Sequence, residues 1–152
     1  MSEETKPKAF ISTTLLCENL FQADSLEQFL LTNTDKLQIP PFDVYITELC
    51  RKRGEVPERV INRANIESSF GHQIFSGRRK PSRDTVLQLA FGLEADVELT
   101  QRLLKYAQKS QLYPRVKRDA AILYCLHHHF SLLSTQTVLH DLELPLIGER
   151  CA

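Results

Sequence analysis

Residues 56–64 and 67–75 are two short stretches of helical periodicity with only Asn65 and Ile66 between them. Helices joined this tightly leave each other at a steep angle. The corner residue must then accept a positive φ, and Asn is among the few side chains that do. Val60, Ile61, Ile66 and Ile74 fill the angle between the two helices. A wedge of this kind has one apolar side that further helices must cover, so the corner constrains the rest of the fold.

The surrounding sequence supplies such helices. Phe42, Tyr45, Ile46, Leu49 and Cys50 recur at i, i+3, i+4, i+7 and i+8, the stripe of an amphipathic helix. Ile39-Pro40-Pro41 stops what precedes it and starts a fresh helix. Arg51-Lys52-Arg53 set cations at the negative end of the helix dipole, and Gly54 follows at the C′ position. Ser82 caps a helix carrying Val86, Leu87, Leu89, Ala90 and Leu93, and Asp96 caps another that runs to about Ser110. A sixth begins at Tyr113-Pro114 and holds Ala121, Ile122, Cys125 and Leu126; a seventh includes Leu133, Val138, Leu139 and Leu142. Near the N-terminus, Ser25 and Gln28 form a capping box for a short helix ending about Asn33. Alternating strand patterns are missing and there are five glycines. The expectation is an all-α chain in three parts: an arm over 1–38 with one short helix, a five-helix domain over 39–110, and a helical extension over 111–152. No internal repeat is visible in the sequence.

Several function classes are disfavoured at once. No apolar run approaches the roughly 18 residues of a membrane span, and residues 1–8 are polar and charged rather than shaped like a signal peptide. The expected location is therefore cytoplasmic, with no membrane partner. Cys17, Cys50, Cys125 and Cys151 lie far apart, without the close pairs of a zinc site or the density of a disulfide scaffold. Cys50 and Cys125 sit among apolar residues and read as small buried hydrophobes. His127, His128 and His129 are consecutive, so a helix splays them about 100° apart and they cannot converge on one ion. Cys125 and His129 are four residues apart, but no carboxylate is marked to orient the base that nucleophilic chemistry needs. The chain is read as neither an enzyme nor a holder of a metal or cofactor.

Formal net charge is zero, yet the charges are unevenly placed. Residues 1–50 carry three Lys against eight acids, residues 51–83 carry nine Lys or Arg against three Glu, and residues 84–152 carry seven against eight. The middle segment alone has an excess of plus six, enough for a phosphate-binding face if its cations share one side. Within it, Ser68, Ser69, His72 and Gln73 occupy the outer face of the second helix of the corner, as planar or short polar groups able to meet base edges. Arg78, Arg79, Lys80 and Arg83 follow around a turn and a helix start, a candidate clamp on phosphate through charge and backbone N–H groups.

Residues 42–100 resemble the Cro and lambda-repressor-like helix-turn-helix family, often called XRE-type regulators. The likeness runs without a gap from Gly54 through Asn65-Ile66, Ile74 and Ser76-Gly77 to Arg79-Lys80-Pro81-Ser82, then Thr85, Leu87, Leu89-Ala90 and Leu93. It implies a five-helix DNA-binding domain, a recognition helix at about 67–75, duplex DNA as ligand, frequent homodimers and a role in bacterial or phage transcription. In that picture Ser68, Ser69, His72 and Gln73 touch bases, and Arg78, Arg79, Lys80 and Arg83 hold phosphates. Other residues leave a second reading open. Pro57 stands where the family usually carries a phosphate-anchoring Gln, Glu67 heads the recognition helix, and no Arg or Lys lies between Glu67 and Phe75. Those features suit a protein-interaction module of the same fold, antitoxin-like or adaptor, that docks a protein instead of DNA.

Overall fold

A computed structural model describes residues 12–34 and 39–148, and every regular element among them is a helix. Cys151 and residues 1–8 lie outside the described residues. The chain divides into two compact units, Met1–Ile39 and Pro40–Ala152. None of the described helices is long and apolar enough to cross a membrane.

The first unit holds α1 (Thr13–Gln22) and α2 (Leu26–Thr32), each opened by a serine: Ser12 accepts from Leu15 N at 3.2 Å and Ser25 from Gln28 N at 3.1 Å. One helix was expected here and there are two. The signal is present: Leu16, Cys17, Leu20 and Phe21 recur at helical spacing behind the Ser12 cap.

The second unit runs α3 (Phe42–Arg53), α4 (Pro57–Arg63), α5 (Ser68–Phe75), α6 (Arg83–Gly92), α7 (Val97–Tyr106), α8 (Lys117–His127) and α9 (Leu132–Asp141). Its stops and starts follow local chemistry. Gly54 ends α3 at φ 66°, Pro57 opens α4 at its first position, and Asn65 makes the corner at φ 56°. Ser82, Asp96 and Ser131 cap α6, α7 and α9 by accepting from the backbone N–H three residues on. Two expectations are corrected. The fifth helix of the expected domain, α7, ends at Tyr106 rather than near Ser110, because the chain turns left-handed at Gln108 (φ 57°). Tyr113-Pro114 forms a turn and α8 begins only at Lys117. The expected seventh helix is α9, which contains Leu133, Val138 and Leu139 with Leu142 as its C-cap; its inward residues are Leu132, Thr135 and Leu139, while Leu133 is 77% exposed.

The core is continuous across the whole second unit. Ile46, Val60, Ile74, Leu87, Leu103 and Leu104 are fully buried, and Ile122, Leu126, Leu139 and Ile147 belong to the same cluster. The stretch after residue 110 is therefore part of one core and not a layer set apart from it. Helix α4 is gripped from two sides at positions without side chains. A Cβ on Gly71 of α5 would come within 2.5 Å of Ile61, and one on Gly92 of α6 within 2.5 Å of the Val60 carbonyl oxygen.

The structure also contains a repeat, contrary to expectation. The hairpin α6–α7 recurs 35 residues later as α8–α9, with most of its polar contacts and turns though without the serine cap of α6. Left-handed residues fall at Glu94 and Gln108 in the first copy and at His129 and Glu143 in the second. Thr100 and Thr135, both fully buried, donate to the carbonyls of their caps, Asp96 and Ser131. Gln101 bonds both backbone groups of Leu112, as Gln136 does those of Ile147. Only five of 32 aligned positions in 82–113 and 117–148 are identical: Arg83/Arg118, Asp84/Asp119, Thr100/Thr135, Gln101/Gln136 and Leu104/Leu139. Four of the five are polar, so identity marks the repeat only faintly, although apolar core positions correspond, Leu87 with Ile122, Ala90 with Cys125, Phe91 with Leu126 and Leu112 with Ile147.

The two copies meet through reciprocal contacts. Arg83 forms a two-pronged pair with Asp119 (2.8 and 3.1 Å), and Arg118 forms one with Asp84 (both 3.1 Å). Each arginine also holds the tail of its own copy, Arg83 at Ser110 O and Gln111 O, Arg118 at Pro145 O and Leu146 O. Each aspartate in turn accepts from the tail of the other copy, Asp119 from Tyr113 N at 3.0 Å and Asp84 from Gly148 N at 2.9 Å. Residue i meets j of the other copy while j meets i, which is the pattern of a two-fold interface inside one chain.

Candidate nucleic-acid interface

The corner between α4 and α5 presents the outer face of α5. Ile74 and Gly71 point inward and are buried, which leaves Ser68, Ser69 and His72 exposed and Gln73 half-buried. The four residues expected to meet bases therefore lie on one helix, three of them open to solvent. Beyond the end of α5 the chain turns at Gly77 (φ 82°), where the Asp43 carboxylate of α3 sits 2.8 Å from the place a Cβ would take. An alanine at this position would meet both a strained backbone and that carboxylate.

Arg78, Arg79 and Lys80 follow on this turn, all exposed. None of the three takes part in an ion pair within the described residues, whereas the basic neighbours Arg51, Arg63 and Arg83 pair with Glu48, Glu55 and Asp119. Arg79 and Lys80 form part of the wall of an open concavity of about 870 Å³ that reaches Asn65 and Glu67 at the corner and Gln88 on α6. The free cations thus stand directly after the helix whose outer face is polar.

Two parts of the expected site change. Arg83 does not join the other three cations. Its guanidinium is spent on Asp119 and on the carbonyls of Ser110 and Gln111, because it belongs to the repeat contact and not to the basic turn. Some of the backbone N–H groups around the turn are also spent. Arg78 N and Arg79 N both bond Gln73 O at 2.9 and 3.2 Å, Gly77 N bonds Ile74 O, and Thr85 N bonds the Ser82 hydroxyl. The N–H groups of Lys80, Arg83 and Asp84 take no partner among the described residues, so the turn and the start of α6 keep part of the expected amide supply beside their charge. The N-terminus of α5 is closed to an anion, since the Glu67 carboxylate accepts from Ser69 N at 3.0 Å and Phe70 N at 2.9 Å.

Electrostatics separate the structural charges from the exposed ones. Burial pushes the Asp119 carboxyl up, but the Arg83 hydrogen bonds, the Tyr113 N–H and the charges of Arg83 and Arg118 outweigh it and hold the group below its ordinary 3.8. The unfolded chain then takes up this proton first as pH falls. The stabilisation is fully present above that ordinary value and is lost as pH drops through it toward the folded one. Urea midpoints measured from pH 6 to pH 3 are expected to fall mainly below about pH 4, and the Asp119→Asn variant to lose part of that slope. An equal slope in the variant would remove Asp119 from the acid response. Burial also pushes the Cys50 thiol up to about 11 and raises that of Cys125, so neither is a thiolate at neutral pH. Among the described residues, no three His, Cys, Asp or Glu side chains gather where they could hold a metal ion.

Sequence reading did not single out Glu67 as a cap or Arg118 and Asp84 as a pair. The Glu67 cap had a signal, an acid two residues after a left-handed Asn. The Arg118–Asp84 pair had none beyond the repeated Arg-Asp dipeptide. No family model, curated protein or solved structure matches the chain.

Proposed function

We propose that this protein is a sequence-specific duplex DNA-binding transcriptional regulator of the lambda-repressor-like type, acting as a homodimer. The five-helix domain of this reading is α3–α7, with α4 and α5 as the helix-turn-helix. Helix α5 enters the major groove and presents Ser68, Ser69, His72 and Gln73 to bases, while Arg78, Arg79 and Lys80 hold the phosphate backbone. The observation that carries this reading is the set of three exposed, unpaired cations placed directly after a helix with a polar, uncharged outer face. Arg83 is left out of the phosphate set because its charge is already neutralised by Asp119.

Replacing Arg79 with Ala is expected to weaken binding to every sequence and to reduce the slope of log K against log salt by about one. Fluorescence anisotropy at four or five salt concentrations measures both. An unchanged slope takes Arg79 out of the footprint. Gln73→Ala is expected to relax preference at one base position and leave the slope alone, read by selection from a randomised duplex.

One observation favours the second reading, a protein-interaction module on the same fold. Glu67 seals the N-terminus of α5 with its own carboxylate, where a DNA-reading helix would present free N–H groups. A gel shift on randomised duplex at low salt separates the two. No retardation at micromolar protein favours the module, because non-specific binding by a basic face ordinarily shows in that range.

A further inference from the structure

The corners of the two repeat copies border a single cavity of about 550 Å³. Glu94 of the first corner and His129 of the second are equivalent residues, both left-handed, with φ 55° and 58°. Arg63, the last residue of α4, closes a third side. The floor is apolar, since Phe91, Ala95, Leu126 and Leu132 all line the cavity and are all buried. A small-molecule site ordinarily has a volume of roughly 300–1,000 Å³, an apolar lining and a few polar groups that fix orientation.

The polar groups here are two opposite charges that do not close on each other. One terminal nitrogen of Arg63 pairs with Glu55 at 2.7 Å, which holds the guanidinium in place. The other lies 3.9 Å from the Glu94 carboxylate, beyond hydrogen-bond reach. That carboxylate takes no hydrogen bond among the described residues, and its side chain is 78% exposed.

Such a rim selects among ligands. A lone anion at Arg63 meets Glu55 and Glu94, and a lone cation at Glu94 meets Arg63. A neutral apolar molecule strips water from the pair and returns no hydrogen bond. A zwitterion escapes all three penalties. Its carboxylate bonds Arg63 and its ammonium bonds Glu94, so the charges alternate in sign around the rim. An apolar remainder on the same molecule then covers the floor.

We propose that this cavity binds a free α-amino acid with an apolar side chain, its carboxylate on Arg63, its ammonium on Glu94 and its side chain against Phe91, Ala95, Leu126 and Leu132. Arg63 is followed by Ala64, whose carbonyl accepts from Gln88, and by the corner at Asn65. The bound amino acid ties the end of α4 to both copies of the repeat, and binding to the folded chain alone raises its stability. The site stands whether or not α5 reads DNA.

The test is an NMR titration of the ¹⁵N-labelled full chain with L-phenylalanine and with L-leucine, each up to about 10 mM. Saturable shifts are expected at the amides of Ala95, Leu126 and Leu132 with at least one of them. The matching amine and acid, phenethylamine and 3-phenylpropanoate in the case of phenylalanine, each lack one of the two charges. Both should bind about tenfold more weakly than the amino acid, having lost a charge-assisted hydrogen bond. Glu94→Gln should weaken the amino acid by about the same factor, leave the acid no weaker and keep the helical circular dichroism. Failure of both amino acids to saturate overturns the proposal, as do shifts confined to residues away from the cavity. An amine or acid that binds as tightly as its amino acid overturns it equally, and so does a Glu94→Gln variant of undiminished affinity.

Discussion

Asp119→Ala is expected to destabilise the fold by about 3 kcal/mol or more, the largest loss predicted for any single substitution here. The Asp119 side chain is 6% exposed and meets Arg83, whose side chain is 25% exposed. Its removal leaves a guanidinium without a counter-charge and the Tyr113 N–H without its acceptor. The cost comes from the stranded partners more than from the lost attraction, which fixes what the companion variants should do. Changing Arg83 and Asp119 together to Leu is expected to recover part of the stability, since it removes the stranded charge, while the Tyr113 N–H stays without its acceptor. The repeat makes a further demand. Arg118→Ala should cost nearly as much as Arg83→Ala, because each arginine makes the same contacts to an aspartate of the other copy and to its own tail. Urea denaturation of the four variants checks all of this. A cost for Asp119→Ala below about 1 kcal/mol, as for an ordinary surface pair, would remove the cross-contact from the forces that hold the hairpins together.

Gly92→Ala should be the second most damaging change, although it replaces glycine with the best helix former. Propensity alone favours Ala inside a helix by about 1 kcal/mol. Against this, the new Cβ lies 2.5 Å from Val60 O and 3.0 Å from the Ala64 Cβ. The nearest atom is backbone, so no rotamer change relieves the contact and α4 itself must move. Forced shifts of this kind cost about 1–3 kcal/mol and occasionally more, and because the nearest atom is backbone the upper part of that range applies and exceeds the propensity gain of about 1 kcal/mol, for a net loss of about 1–2 kcal/mol. Gly71→Ala offers a contrast. The nearest atoms to its Cβ all belong to the Ile61 side chain, so adding Ile61→Ala should rescue part of the loss. No side-chain substitution should rescue Gly92→Ala fully. Thermal or urea unfolding of the singles and the Gly71/Ile61 double measures both claims. A stabilised Gly92→Ala variant would show that α4 is free to shift, and that the corner holding α5 is not fixed by its neighbours.

The helices of the second unit were legible in the sequence to a large extent because their ends are written in single residues. Gly54, Pro57, Asn65, Ser82 and Asp96 each perform the local task their chemistry suits, a left-handed turn, a first helical position or a cap. Phe42, Ile46 and Cys50 point inward as their spacing requires. Where the end was set by a left-handed residue outside the usual set, as at Gln108, or by a turn that looked like a helix start, as at Tyr113-Pro114, the boundary was misplaced. The candidate site was legible for a similar reason. Ser68, Ser69 and His72 come to one face of a short helix by helical spacing alone, and Arg78 to Lys80 follow it by connectivity.

What sequence alone determined about this protein is thus its local alphabet: an all-helical chain, the corner at Asn65, the polar face of α5 and a basic segment of residues 51–83 within a neutral total. Tertiary structure decided which charges remain available. Arg79 and Arg83 look alike in the sequence, four residues apart in one basic run, yet one is solvent-exposed and unpaired and the other is bound to an aspartate 36 residues further on. The reciprocal contact of the repeat was likewise decided in three dimensions: apolar positions recur 35 residues apart, but which arginine meets which aspartate is a relation between two distant dipeptides. Local spacing encodes which side of a helix a residue occupies; only packing brings the partner that takes its charge.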